Sequence, residues 1–115
     1  MTRSEEQVSE FLDEMGLKWI FQAPVFVYDD KNRQRVWTPD FYIPKLGMHI
    51  EVCGVDDLQY MWRKDIYKQN HIPVIFIYSF KDQKNWKNYL LAKIREIEEE
   101  RHEEIMNFIN RVIKF

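Results

Sequence analysis

Two carboxylates are placed where they are able to do chemistry: Asp40, directly after Pro39, and Glu51, inside the run Met48-His49-Ile50-Glu51-Val52-Cys53. Each lies in or beside a segment rich in β-branched and aromatic residues, so the sequence predicts a strand at both positions. Carboxylate oxygens suit a hard divalent cation such as Mg²⁺ or Mn²⁺. A cation held against a phosphodiester polarises the phosphate and lowers the pKa of an attacking water. Strand alternation over 48–53 puts His49, Glu51 and Cys53 on one face and Met48, Ile50 and Val52 on the other, so the carboxylate faces a site while the apolar set faces the core. The main-chain carbonyl of Val52 is a candidate third oxygen ligand. Taken singly, Asp40 also reads as a turn residue after proline, and Glu51 as a charge on an exposed strand face.

The elements that must hold these groups follow from the spacing around them. Ser4 and Gln7 have capping-box spacing, Val8, Phe11, Leu12 and Met15 recur at helical intervals, and Gly16 closes the element, which predicts a helix over 4–15. From Lys18 the pattern changes to β-rich runs separated by the turn residues of 29–33, giving three strands in an antiparallel meander. The run 36–43 reads as one of these strands, and Pro39 and Pro44 flank its residues 40–43, so that strand is interrupted or ends there. Asp56 or Asp57 caps a helix running to Asn70, and the apolar run 72–79 reads as a central strand reached by a crossover. Residues 83–115 contain neither Gly nor Pro and carry a helical stripe of Leu90, Ile94, Ile97, Ile105, Phe108 and Val112. The charged stretch 98–104 interrupts that stripe. The helix is therefore broken there or crosses solvent, and its second apolar segment needs a partner.

The 115 residues, 45% hydrophobic, are enough for one domain, with a core over 4–80 and a C-terminal helix over 83–115. A net charge of -2 and a pI of 5.9 mean that nucleic-acid contact has to come from a local basic patch. The single cysteine, Cys53, excludes an internal disulfide and a zinc site built on paired thiolates. No apolar run is long enough for a membrane span or a signal-peptide core, so the expectation is a soluble cytoplasmic protein with no membrane partner. There is no Gly-rich phosphate loop, CxxC pair or GxSxG motif, so the enzyme classes that use them are unsupported.

The order helix, three strands, helix, strand, taken with Pro39-Asp40 and Glu51-Val52-Cys53, resembles the PD-(D/E)xK nuclease superfamily over residues 5–78. The resemblance implies an α/β restriction-endonuclease-like αβββαβ core, with a mixed central sheet flanked by helices and the long C-terminal helix added. It implies a metal-dependent, structure-selective or partner-directed endonuclease that hydrolyses phosphodiester bonds in DNA, RNA not being excluded. Mg²⁺ or Mn²⁺ would be held by Asp40, Glu51 and the carbonyl of Val52. It also implies a carboxylate from the first helix. Glu5 falls in line with Val8, Leu12 and Met15 on the inward face, whereas Glu6 groups with Ser9, Glu10 and Asp13; an acid in the first turn also serves the helix dipole.

Cys53 stands where the motif's lysine is expected. In some members a basic residue of the following helix takes over, and Lys64, grouped with Tyr60, Tyr67 and Lys68, is the candidate, which gives a catalytic set of Asp40, Glu51, Lys64 and Glu5. Arg33 and Arg35 in the 31–35 turn, with Lys45, Arg63 and Lys68, are candidates for phosphate-backbone contacts. His49 shares the face of Glu51 and is able to meet metal, water or phosphate. The alternative function is a catalytically inactive nuclease-fold module that binds nucleic acid or assembles as a homodimer through its C-terminal helix.

Overall fold

The computed structural model describes residues 1–79 and 84–113. Its elements are α1 (Arg3–Glu14), β1 (Ile20–Phe21), β2 (Val25–Tyr28), β3 (Gln34–Trp37), β4 (Phe41–Ile43), β5 (Met48–Cys53), α2 (Gln59–Gln69), β6 (Val74–Tyr78) and α3 (Trp86–Val112). Four strands form a sheet in the order β1-β4-β5-β6, and β2 and β3 form a separate ribbon. The pairs β1–β4 and β4–β5 are antiparallel and β5–β6 is parallel, so the sheet is mixed.

Helix α1 starts earlier than its Ser4–Gln7 spacing suggested. Thr2 is the N-cap: its hydroxyl accepts the Glu5 N–H at 3.1 Å, and Glu5 Oε1 accepts the Thr2 N–H at 2.7 Å. A carboxylate is the stronger acceptor and also gains from the positive end of the helix, which favours the Thr2–Glu5 box over one closed by Gln7. Gly16, at φ 72°, ends the helix, with the N–H groups of Gly16 and Leu17 donating to the carbonyls of Asp13 and Leu12.

The segment read from the sequence as one strand over 36–43 is two strands in different sheets. Phe21 stands opposite Phe41 and Val25 opposite Trp37 in one common register. Between these pairs the Gln22 N–H donates to the Asp40 carbonyl at 3.0 Å. The two strand pairs are thus halves of a single long hairpin, divided where Pro24 and Pro39 have no N–H to give the ladder. The outer half buries Val25 and Val27 beside Ile66 and Tyr67 of α2 and leaves Phe26 and Tyr28 exposed. Asn70, which ends α2, holds this ribbon in place. Its side-chain amide accepts the Tyr28 N–H and donates to the Tyr28 carbonyl, both at 2.9 Å.

Strand alternation divides the core between the two faces of the main sheet. Met48, Ile50, Val52, Ile75 and Ile77 pack with Val8 and Leu12 of α1 and Trp86 and Leu90 of α3. Cys53 and Phe76 pack on the opposite face with α2 and the ribbon. Every residue of β5 is buried. The interior of β6 is buried as well, yet β6 is an edge strand of the four-stranded sheet and not the central one its apolar run suggested. Helices α2 and α3 cover its two faces, and burial on both faces depends on those layers rather than on a place in the strand order. At the start of α2 the N-cap is Leu58. Asp57, one residue earlier, accepts the Gln59 N–H at 2.9 Å.

Helix α3 continues unbroken through 98–104. The pairs Lys93–Glu96, Arg95–Glu99 and Arg101–Glu98 lie three or four residues apart and support a helix that has no core to rest on there. Arg101 donates to the carbonyls of Leu46 and Gly47 in the β4–β5 turn. Beyond it Ile105, Phe108 and Val112 are exposed, and the molecule is drawn out to 55 Å. The expected helix ends at 83 and 114–115, and residue 80 of the expected core, lie outside the described residues. Among the described residues no helix is long and apolar enough to cross a membrane.

Asp29 organises the ribbon turn. Its Oδ1 accepts the N–H groups of Lys31 and Arg33, both at 2.9 Å, and its Oδ2 accepts Arg35 Nε at 2.7 Å. The Arg35 hydrogen bond, with those from the main chain, holds the carboxyl down at about 2. A folded pKa below the unfolded one contributes stability above the unfolded value that is lost as pH falls through the folded value. Asp29→Ala is expected to melt at a lower temperature at pH 7, and its deficit to shrink between about pH 4 and pH 2, followed by circular dichroism. A deficit that stays constant with pH would assign the effect to packing instead.

Candidate active site

Asp40 sits where the ladder of the long hairpin fails, and its side chain turns toward β5. Its Oδ2 accepts the Val52 N–H at 2.7 Å. In the β4–β5 register, which pairs Phe41 with Ile50, the residue opposite Val52 is Pro39. The N–H and carbonyl of one strand residue point to the same side, so the Val52 carbonyl also faces the place where Pro39 has no N–H to offer. The proline thus leaves a main-chain oxygen beside the Asp40 carboxylate.

Glu51 lies on the β5 face it shares with His49 and Cys53, and it is as buried as Asp40, each being 9% exposed. The Asp40 carboxyl neighbours and interacts with both Glu51 and Glu5. Burial pushes Asp40 up to about 6, against the pull of the Val52 N–H. Burial, then the neighbouring Asp40, pushes Glu51 up to about 8, with the Arg63 guanidinium pulling the other way. Burial raises Glu5 too, but the Thr2 and Asp40 hydrogen bonds outweigh it and leave Glu5 below the usual value. Glu5 therefore stands beside Asp40 while it closes the capping box of α1.

The donor set fits a hard cation. Asp40, Glu51 and the Val52 carbonyl offer oxygens only, and a carboxylate beside a second carboxyl that burial keeps mostly protonated at neutral pH is the arrangement that a divalent charge relieves. Among the described residues no three His, Cys, Asp or Glu side chains surround one point as metal ligands. Glu5 thus adjoins the pair without completing a three-carboxylate cage.

On α2 the structure brings a different residue to the carboxylates than the sequence suggested. Lys64 is exposed and lines a cleft of about 530 Å³ between α2, β6 and α3, together with Lys68 and His71. Arg63 lies on the side of α2 that faces Glu51, with its guanidinium 5.6 Å from the Trp37 ring. One residue of helical phase, 100°, separates the two. The buried Ile66 and Tyr67, three and four residues after Arg63, were the signal that sets this phase. Among the described residues, the buried side-chain polar atoms with no hydrogen-bond partner are His49 Nδ1, Arg63 Nε and the Tyr67 hydroxyl. His49 shares the Glu51 face of β5, and the Tyr67 ring packs on Phe76, which pairs with Glu51 across the sheet. Tyr67 was not anticipated from the sequence. Two of these orphaned atoms, Arg63 Nε and the Tyr67 hydroxyl, belong to side chains that interact with Glu51, and they mark a place for a polar ligand.

The remaining basic candidates are spread out. Arg33 and Arg35 pair with Asp29 in the ribbon turn, and Arg35 also lies over the Trp62 ring at 5.1 Å. Lys45 is exposed in the β4–β5 turn, at the opposite end of β4 from Asp40, and Lys68 belongs to the Lys64 cleft. Trp37 packs edge-on against Trp62 and Tyr67 inside the ribbon–α2 layer, and Tyr42 lies against His49. The Cys53 thiol is fully buried, and burial followed by the nearby Glu51 pushes it up to about 12, so it stays neutral.

No protein-family model matches this sequence, and no curated protein matches it. Among solved structures the chain is similar to the 5-hydroxymethylcytosine-specific restriction enzyme AbaSI, with 20% identity and a TM-score of 0.42, over 98% of this chain and 45% of that one. The chain thus spans less than half of that enzyme. The likeness is a distant one of overall fold and carries no substrate or residue role.

A folded-state pKa raised above the unfolded one gives stability that is present below the unfolded value and lost as pH rises through the folded value. For Glu51 that window runs from 4.5 to about 8. In chelator at pH 8, Glu51→Gln is expected to be more stable than the unmodified protein by about 4 kcal/mol, and the gain to vanish near pH 4.5. Thermal melts across this range check it; an unchanged or lower melting temperature at pH 8 would contradict the strained carboxylate.

Proposed function

We propose that this protein is a metal-dependent nuclease that hydrolyses phosphodiester bonds in DNA, with Asp40, Glu51 and the Val52 carbonyl holding Mg²⁺ or Mn²⁺. The observation that carries this reading is the adjacent pair of buried carboxylates beside a main-chain oxygen that Pro39 leaves without its ladder partner. Burying two neighbouring acids is costly unless a cation compensates them, and no basic side chain among the described residues forms an ion pair with both. When bound, the cation supplies charge to a phosphate oxygen and acidifies a water.

The chain's own groups have separable parts in this reading. Asp40 is positioned by the Val52 N–H, and Glu5 by Thr2, so neither turns away when its neighbours ionise. Arg63 takes over the charge of the absent motif lysine. Its guanidinium faces Glu51 and its Nε–H has no partner within the chain, which leaves a donor for a phosphate oxygen. Cys53 is neutral and serves packing. Lys64 contributes at most to backbone attraction from the neighbouring cleft.

A second reading, a catalytically silent module that binds nucleic acid, is favoured by the buried neutral Cys53 at the position of the motif lysine. It predicts nucleic-acid binding that is indifferent to divalent ions.

The test is cleavage of labelled duplex, single-stranded and four-way-junction DNA, with an RNA arm, in Mg²⁺ and in Mn²⁺. Cutting is expected to stop in chelator and in Glu51→Ala. Arg63→Ala is expected to lose on the order of 100-fold in rate, and Lys64→Ala less than about threefold. Equal losses in Arg63→Ala and Lys64→Ala would overturn the role given to Arg63. Binding without cutting in either metal would leave the silent module.

A further inference from the structure

We propose that the free end of α3 is a self-association surface, on which residues 105–112 of two copies pair as antiparallel helices about a two-fold axis. Ile105, Phe108 and Val112 are 58%, 60% and 65% exposed. They continue, at the same spacing of three and four, the stripe by which Leu90, Ile94 and Ile97 join the core. The stripe keeps its helical phase past Arg101, which ties the helix to the Leu46–Gly47 turn, and then has no domain beneath it. A helix face shaped like its own buried half, but overhanging the sheet, is matched by an equal helix.

Charge selects the second copy and the direction. Glu104 and Arg111 lie seven residues apart on one flank of the stripe, and neither belongs to an ion pair among the described residues. In an antiparallel pair, matching flanks of the two helices meet. Glu104 then opposes the second copy's Arg111, and Arg111 its Glu104, so both ion pairs form at once by symmetry. A parallel pair sets this flank against the opposite one, where Ile109 stands, and leaves all four charges unpaired. Ile105, Phe108 and Val112 together expose roughly 300 Å² per copy, so a symmetric pair covers about 600 Å² on the stripe alone, the size of a weak, concentration-dependent contact.

The cleft beside α3 extends this surface. Glu100 and Glu104 line it together with Ile72 and Ile97, and it opens on the flank that carries Glu104. The two sheets lie at opposite ends of the paired helices, so the carboxylate sites stay uncovered, and the association stands whether or not those sites cut nucleic acid.

Sedimentation velocity of the full chain from about 2 to about 200 µM, with helicity followed by circular dichroism, tests the proposal. A monomer–dimer equilibrium is expected. Glu104→Arg and Arg111→Glu should each weaken it at least about tenfold, and the double variant should restore it to within about threefold. Phe108→Asp should be monomeric with its helicity intact. A chain monomeric throughout, charge reversals without effect, a double variant that fails to recover, or a Phe108→Asp dimer would each overturn it.

Discussion

The hydrogen bond from the Val52 amide to Asp40 Oδ2, 2.7 Å long, joins two strand ends that have no ladder left between them. Pro39 stands opposite Val52 and has no N–H, so the rung that would continue β4 along β5 is missing. A carboxylate takes its place. The substitution closes the edge of the sheet, brings Asp40 against the strand that carries Glu51, and leaves the Val52 carbonyl facing the same spot. The Gln22–Asp40 main-chain bond then fixes the bend at which the hairpin leaves the sheet and crosses to α2.

This arrangement is unfavourable by itself. Asp40 and Glu51 are each 9% exposed, burial raises the pKa of both and Asp40 raises that of Glu51 further, and two nearby polar atoms, Arg63 Nε and the Tyr67 hydroxyl, lack partners. It persists because β5 is packed on both faces, by α1 and α3 on one and by α2 and the ribbon on the other. Strain of this kind in one place, within a chain that otherwise follows local rules of capping and alternation, is where function is expected to reside.

The outer parts of the molecule follow a different logic. Asp29 and Asn70 hold the ribbon by charge and by amide pairing to the backbone, and α3 survives its charged stretch through ion pairs between successive turns. Hydrogen bonds and helical ion pairs suffice where solvent replaces the core. They leave Phe26, Tyr28 and the end of α3 exposed, which are the surfaces on which a partner makes a difference.

The sequence by itself determined the alternation of β5, the inward phase of Glu5 on α1, the interruption at the prolines and the helical stripe at the C-terminus, whose continuity through 98–104 it left open. All of these are local periodicities or single-residue steric facts, readable within a few positions. Tertiary structure alone decided that 36–43 is divided between two sheets, that β6 is an edge strand, and that Arg63 rather than Lys64 turns toward Glu51. The first two depend on which layers cover a strand. The last depends on the rotation of α2 about its axis, which is set by the seating of Ile66 and Tyr67 under the ribbon. A neighbouring basic residue 100° away is indistinguishable in sequence until that packing chooses the face.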